Sequence, residues 1–315
     1  MKQTAQVAIL MATYNGAQYL PVQLDSILNQ DFEDWQLLIS DDGSTDGTLN
    51  ILADYQKRYP EKIRILEKEI PTGSAKKNFM FLTRQADDFP YVMYCDQDDF
   101  WRSEKVRVTL KKMKETESGN TAIPCLVHTD LEVVDQNLLT ISRSFFRFSG
   151  LDASRCALNQ LLIQNIVTGC TMMINHALWE LAARPADEKK ILMHDWWFAL
   201  IAAVMGRIGF VDQPLICYRQ HGDNSVGAKE AKDPAYISSQ IKRGKGNRVA
   251  MENTMRQAGC FVDVFADKLD ASTQNFLEEY ALLVEQRKGR RIKTVCKYRI
   301  WKNGALRKAA ELFYL

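Results

Sequence analysis

Tyr91-Val92-Met93-Tyr94-Cys95-Asp96-Gln97-Asp98-Asp99-Phe100-Trp101 is the stretch from which the fold can be read. An apolar, strand-like run ends abruptly in three carboxylates within four residues. Carboxylates this close repel one another, so folding them together needs a cation or strong hydrogen bonds in compensation. Hard divalent cations favour oxygen ligands, and Mg2+ is usually held by one or two carboxylates plus substrate phosphates. The segment is either a metal–diphosphate site at a strand end or a charged turn, and its surroundings must decide.

Working upstream, the same strand-then-polar-turn pattern recurs. Val7-Ala8-Ile9-Leu10-Met11 is an apolar run followed by Thr13-Tyr14-Asn15-Gly16, and Leu20, Leu24, Ile27 and Leu28 then fall at helical spacing. Trp35 to Ser40 is a second strand ending in Asp41-Asp42-Gly43-Ser44-Thr45-Asp46-Gly47, with a helix starting near Thr45 or Asp46. Ile63 to Leu66 is a third strand, Gly73 to Arg84 a third helix, and Tyr91 to Cys95 the fourth strand. This alternation predicts an α/β fold with a mostly parallel, Rossmann-like sheet flanked by helices. Ligands of such sheets gather beyond the carboxyl ends of the strands, where all three polar clusters lie. The first turn lacks GxGxxG and the chain has no GxxxxGK[ST] loop, which counts against dinucleotide-binding oxidoreductases and P-loop enzymes. Neither acidic loop has the spacing of a calcium EF-hand.

Downstream the pattern is less regular. Leu126–Thr129 and Thr171–Ile174 read as strands, His194-Asp195-Trp196-Trp197 opens an apolar helix, and Arg207–Val211 and Ile216–Tyr218 read as two short strands. A polar stretch follows from Gly222-Asp223-Asn224-Ser225 to about Asn247, and from Val249 onward the pattern is helical.

A chain of 315 residues with 46% hydrophobic and 25% charged residues can bury a full core. The net charge of +2 conceals an asymmetry: residues 241–315 carry 16 Lys and Arg against 8 Asp and Glu, leaving residues 1–240 at −6. The seven cysteines are scattered and form no CxxC pair, which suits reduced thiols of a cytosolic protein better than disulfides or zinc. The N-terminus does not have the layout of a signal peptide, and no window of 18 apolar residues predicts a membrane span.

Ala12-Thr13-Tyr14-Asn15-Gly16, Ser40 to Thr48, Asp96-Gln97-Asp98-Asp99 and His194-Asp195-Trp196-Trp197, in this order, resemble glycosyltransferase family 2. Within it, Cys95–Trp101 and Tyr218-Arg219-Gln220-His221-Gly222-Asp223-Asn224-Ser225 look most like bacterial rhamnosyltransferase-type enzymes that build surface polysaccharides. The resemblance implies a GT-A fold over residues 1–226, with a nucleotide-sugar half at about 1–100 and an acceptor half at about 101–226; the helical, basic region at 227–315 lies outside its motifs. The resemblance also implies an inverting, metal-dependent enzyme using Mn2+ or Mg2+ and a dTDP- or UDP-sugar donor. Thr13, Tyr14, Asn15, Asp41 and Asp96 match nucleotide-binding positions, with Tyr14 on the base, Asp41 accepting its imide N–H and Asp96 toward the ribose. Asp42 and Asp46 would cap the turn and the next helix. Asp98 and His221 match metal ligands, and Asp195 the base that takes the acceptor proton. Asp99, Trp101, Gly169, His194 and Trp196 are candidates around the donor and acceptor sugars. Base, sugar, acceptor hydroxyl and linkage depend on pocket shape rather than on these motifs.

The basic tail from Arg287 to Leu315 interleaves Lys and Arg with Ile292, Val295, Tyr298, Ile300 and Trp301. It reads either as an interfacial helix on an anionic membrane, which suits a polyprenyl-diphosphate-linked glycan acceptor at the inner face of the cell membrane, or as a solvated helix packed on the domain. No nucleic-acid-reading motif accompanies the charge.

Overall fold

The computed structural model describes residues 5–222 and 244–315, so Asp223, Asn224, Ser225 and most of the predicted polar stretch lie outside the described residues. The first half follows the predicted order: β1 (Val7–Thr13), α1 (Leu20–Leu28), β2 (Trp35–Asp41), α2 (Thr48–Arg58), β3 (Ile63–Ile65), α3 (Ala75–Arg84) and β4 (Tyr91–Cys95). Pro21 opens α1, where its missing N–H leaves no helical bond unmade. β1 pairs in parallel with both β2 and β4, with Thr13 opposite Asp41 and Met11 opposite Cys95. This register brings Thr13, Asp41 and the acidic segment together at the carboxyl ends of the parallel strands.

After β4 the chain runs through β5 (Phe100–Trp101), α4 (Lys105–Glu117), β6 (Cys125–Val134), β7 (Thr140–Ser142), α5 (Phe145–Phe148) and α6 (Leu158–Leu161). A 3-10 turn at Gly169–Thr171 leads to β8 (Met173–Asn175), α7 (His176–Ala182), α8 (His194–Met205) and β9 (Arg207–Arg219). The strand order is β3-β2-β1-β4-β8-β6-β9-β5, with β7 paired to β6. The sheet is more mixed than the alternation implied: β8 runs antiparallel to both β4 and β6, and β5 antiparallel to β9. The two short strands expected at 207–218 are one strand. Asp212, Gln213 and Pro214 are exposed in its middle, and the pairing register against β6 shifts there, as a residue lacking an N–H requires. The helix α4 carries Val106, Leu110 and Met113 as a buried stripe that the reading of the sequence passed over.

Four helices close the chain: α9 (Gly244–Phe265), α10 (Ala271–Ala281), α11 (Lys288–Tyr298) and α12 (Ala305–Tyr314). The described chain groups into two compact units, and the boundary is not a single cut after residue 226. One unit comprises residues 5–145, 167–183 and 205–222 and contains the whole sheet; the other comprises 146–166, 184–204 and 244–315. The helical unit has its own aromatic core, with the Trp197 ring 5.4 Å from Phe261 and 5.9 Å from Phe265. Those contacts draw residues 184–204 to the C-terminal helices.

Within the helical unit the tail is only partly free. Val295 and Ile300 are buried, and Arg291 is 2% exposed, donating to the carbonyls of Val284 and Gln286 and to Glu252. Lys297 and Tyr298 both reach the Glu279 carboxylate. Arg287, Lys288, Arg290, Lys293 and Arg299 stay exposed. Among the described residues no helix is long and apolar enough to cross a membrane. All seven cysteines are unpaired; five are buried, Cys156 is half-buried and Cys296 is exposed.

Candidate active site

The turn after β1 and the loop after β2 are laced together. Asp41 accepts from the Thr13 hydroxyl (2.8 Å), the Gly43 and Ser44 N–H groups (3.0 and 2.8 Å) and the Ser44 hydroxyl (2.6 Å). A carboxylate offers about four acceptor positions, and these four contacts fill them. Asp41, expected to read the base, here shapes its own loop. Asn15, expected at the nucleotide, takes φ +47° and bridges the same two loops, its backbone N–H donating to the Ser44 hydroxyl and its side-chain Oδ1 accepting the Thr45 N–H, both at 2.8 Å. Asp46 binds the Thr48 N–H and hydroxyl and the Ala17 N–H, which accords with its predicted capping role.

Asp42 does more than cap. It is buried and receives Lys68 (2.7 Å) together with the N–H groups of Thr72 and Ser74, tying the 68–74 loop to the end of β2. Burial opposes its ionisation, but Lys68 and Thr72 outweigh that and hold its carboxyl below the usual range. Tyr14 is 58% exposed, so its ring is available to a planar ligand.

In the acidic segment the three carboxylates take three different environments. Asp98 is partly exposed, and its Oδ2 lies 2.8 Å from His221 Nε2. The sequence separates them by 123 positions, and the structure brings together the two residues expected to share a metal. Asp96 is half-buried. Asp99 is fully buried; one oxygen accepts the Arg219 N–H (3.1 Å) and the carboxyl also meets the Cys170 thiol. Burial, reinforced by the neighbouring Asp98 and Asp96 carboxylates, pushes its pKa well up, so it tends to keep its proton.

Arg219, in the quoted Tyr218–Ser225 motif but given no role, proves central. Its N–H meets Asp99, its Nε donates to the Asp98 carbonyl (2.7 Å), its Nη1 donates to the Gln136 carbonyl, and its guanidinium stacks 4.6 Å from the Tyr19 ring. The Tyr19 ring also lies 4.9 Å from that of His221. Buried arginine thus buckles the acidic loop onto the end of β9.

Two donor sets compete for a cation. Asp96, Asp99 and Cys170 place one ligand atom each within 4.8 Å of one another. Burial first, then the Asp99 and Asp96 charges, raise the Cys170 thiol well above its ordinary range, and a buried thiol beside a carboxyl whose ionisation burial opposes is a poor ligand set for a hard cation. Asp98 with His221 offers a carboxylate oxygen and an imidazole nitrogen, a set that fits Mn2+ and leaves positions for diphosphate oxygens.

Several expected sugar contacts are corrected. Trp101 is 1% exposed, paired through β5 to Ile216 of β9, and cannot stack on a sugar. His194 is 2% exposed and packs edge-on against Phe198, its pKa lowered to about 3 by burial, so it is a neutral interior residue. Gly169 is buried at the start of the 3-10 turn, which sets Cys170. Trp196 is half-buried and donates its indole N–H to the Leu161 carbonyl (2.6 Å), while Trp197 is core. Asp195 lies in the first turn of α8, where a negative charge is favoured by the helix dipole; it is 8% exposed and accepts the Trp196 N–H at 2.6 Å.

A parallel half-sheet extended by antiparallel strands, with carboxylates at the carboxyl ends of β2 and β4 on either side of the turn after β1, is the arrangement of a GT-A-type glycosyltransferase. The family model described as Glycosyl transferase family 2 matches residues 8–181. The chain belongs to that family. It is 31% identical over 246 residues to the dTDP-rhamnosyl transferase RfbG of Shigella flexneri, covering 76% of this chain and 81% of the relative. The crystal structure of S. aureus TarS 1–349 in complex with UDP-GlcNAc superposes with a TM-score of 0.57 at 16% identity, covering 98% of this chain and 89% of that one. The longer TarS structure gives the same TM-score, and the chain spans 43% of its length. These structures share the fold.

Proposed function

We propose that the protein transfers L-rhamnose from dTDP-rhamnose, with inversion, to a hydroxyl of a growing lipid-linked surface polysaccharide. The observation that carries this reading is the likeness to a dTDP-rhamnosyl transferase over three-quarters of the chain. Tyr14 stacks on the base and Asp96 lines the nucleoside side, while buried Thr13 supports the turn through its bond to Asp41. Asp98 and His221 hold the cation, which when bound neutralises charge on the departing diphosphate. Asp195, assigned by its motif, takes the proton of the acceptor hydroxyl as its oxygen bonds to the anomeric carbon and the bond to the diphosphate breaks. Holding donor and acceptor in line supplies much of the remaining rate enhancement.

The exposed Arg287, Lys288, Arg290, Lys293 and Arg299 favour attachment to the anionic inner face of a membrane by charge, since Val295 and Ile300 are already buried. Liposome pelleting with and without residues 287–315 tests this, and equal pelleting sinks it. The donor is tested by a thermal-shift panel of dTDP-, UDP- and GDP-sugars with and without Mn2+, because ligands that bind only the native state raise its melting temperature. A preference for GDP-sugars, or indifference to Mn2+, would overturn the reading. A UDP-sugar preference would retain the mechanism and change the donor.

A further inference from the structure

Gln97 stands between Asp96 and Asp98 and carries no charge, yet both polar atoms of its amide are hydrogen-bonded. Its Oε1 accepts the Tyr14 N–H at 2.8 Å, and its Nε2 donates to the Tyr14 carbonyl at 2.9 Å. One primary amide thereby satisfies both backbone groups of a single residue, as a neighbouring strand would. Only an amide can do this: a carboxylate lacks the donor and would add a fourth negative charge to the loop. The space for it comes from Gly16. A Cβ on that buried glycine would lie 2.2 Å from Gln97 Oε1, 2.4 Å from its Cδ and 3.0 Å from its Nε2, and these are the three nearest atoms it would meet. Gly16 has an ordinary negative φ, so its lack of a side chain serves Gln97 rather than the backbone.

We infer that Gln97 is a positioning residue that locks the Tyr14 turn to the acidic loop, so that the nucleoside side and the cation side of the donor site are held as one piece. This rests on reading Thr13–Tyr14 and Asp96–Asp98 as the nucleotide site. Neither Gln97 nor Gly16 touches the nucleotide in this account; both act through the backbone of Tyr14 and the carboxylates flanking Gln97.

The test is calorimetric binding of dTDP and UDP in the presence of Mn2+, with melting temperatures measured on the same samples. Gln97→Ala is expected to weaken the preferred nucleotide about tenfold, as the loss of two hydrogen bonds would. Gln97→Glu should weaken it at least as much, since it loses the donor, sets a carboxylate oxygen against the Tyr14 carbonyl and adds a negative charge to the acidic loop. Gly16→Ala should weaken binding comparably by displacing the amide, whereas adding Gly16→Ala to Gln97→Ala should cost little more, because the atoms it would strike are gone. That rescue is a readout general damage to the fold would not produce. Wild-type affinity in Gln97→Ala, or an equal penalty for Gly16→Ala in both backgrounds, overturns the inference. Failure of wild type to bind either nucleotide would overturn the nucleotide-site reading itself, and the inference with it.

Discussion

The Lys105 ammonium lies 4.4 Å from the centre of the Trp101 ring, and both side chains are shut off from solvent. The lysine Nζ meets no hydrogen-bond acceptor among the described residues, so the aromatic face is its principal close partner. Burial lowers its pKa to about 8, against the opposing pull of Cys170, Cys95 and Asp99. The folded protein therefore sheds this proton before the unfolded chain does, and between about pH 8 and 10.5 stability rises with pH. Lys105→Met keeps the volume without the charge. It should be more stable than wild type at pH 7, by at most about 3 kcal/mol, with the gap closing toward pH 10. Urea unfolding of both proteins at pH 7, 8.5 and 10 checks this. A less stable variant at pH 7 would show the ammonium to be a needed counter-ion of the acidic loop.

His221→Ala removes the imidazole facing Asp98. The Mn2+ concentration giving half-maximal nucleotide binding should rise by at least about tenfold, a loss seen even for the partners of metal ligands. Titrating Mn2+ at fixed dTDP measures it, and an unchanged midpoint would take His221 out of the metal site.

Asp195→Asn tests the base. Turnover should fall between about a hundredfold and ten-thousandfold while nucleotide affinity in Mn2+ stays within about twofold of wild type. Full activity in the variant would move the base elsewhere.

Glu311, on α12, is 2% exposed and raised to about 7 by burial, against the Lys302 N–H and nearby cations. Here the folded state holds the proton longer than the unfolded chain, so stability is greatest below about pH 4.5 and is lost as pH climbs through 7. Glu311→Gln keeps the bond from the Lys302 N–H (3.0 Å) and removes the titration. At pH 8 the variant should melt higher than wild type, and at pH 4.5 the two should coincide. Melting curves that differ equally at both values would rule out this origin.

The first half of the fold was legible because each parallel strand there is a mainly apolar run followed by a polar turn, most plainly in Val7–Met11. Beyond Trp101 that signal fails for physical reasons. β9 contains three exposed residues at its bulge and so imitates two strands, and residues 184–204 pack with helices far along the chain. The Asp98–His221 pairing followed from motifs, but the division of labour among carboxylates did not. Asp41 and Asp42 are adjacent in sequence, and only packing shows that the first shapes its own loop while the second anchors another. Trp101 looked like a sugar platform because composition carries no information on which face of a two-residue strand is covered. Gln97 and Arg219 stood inside quoted motifs without roles, since their partners are main-chain atoms that no pattern of side chains reveals.

Cys296 is the exposed one of seven thiols, and it sits on α11 among the basic residues. Toward a bulky maleimide under native conditions the chain should thus behave nearly as though it had a single cysteine, with only half-buried Cys156 as a slower competitor. A polarity-sensitive dye coupled there would need no engineered attachment point. It would brighten or stay dark as anionic vesicles are added, turning an incidental side chain into an optical reporter of where the enzyme resides.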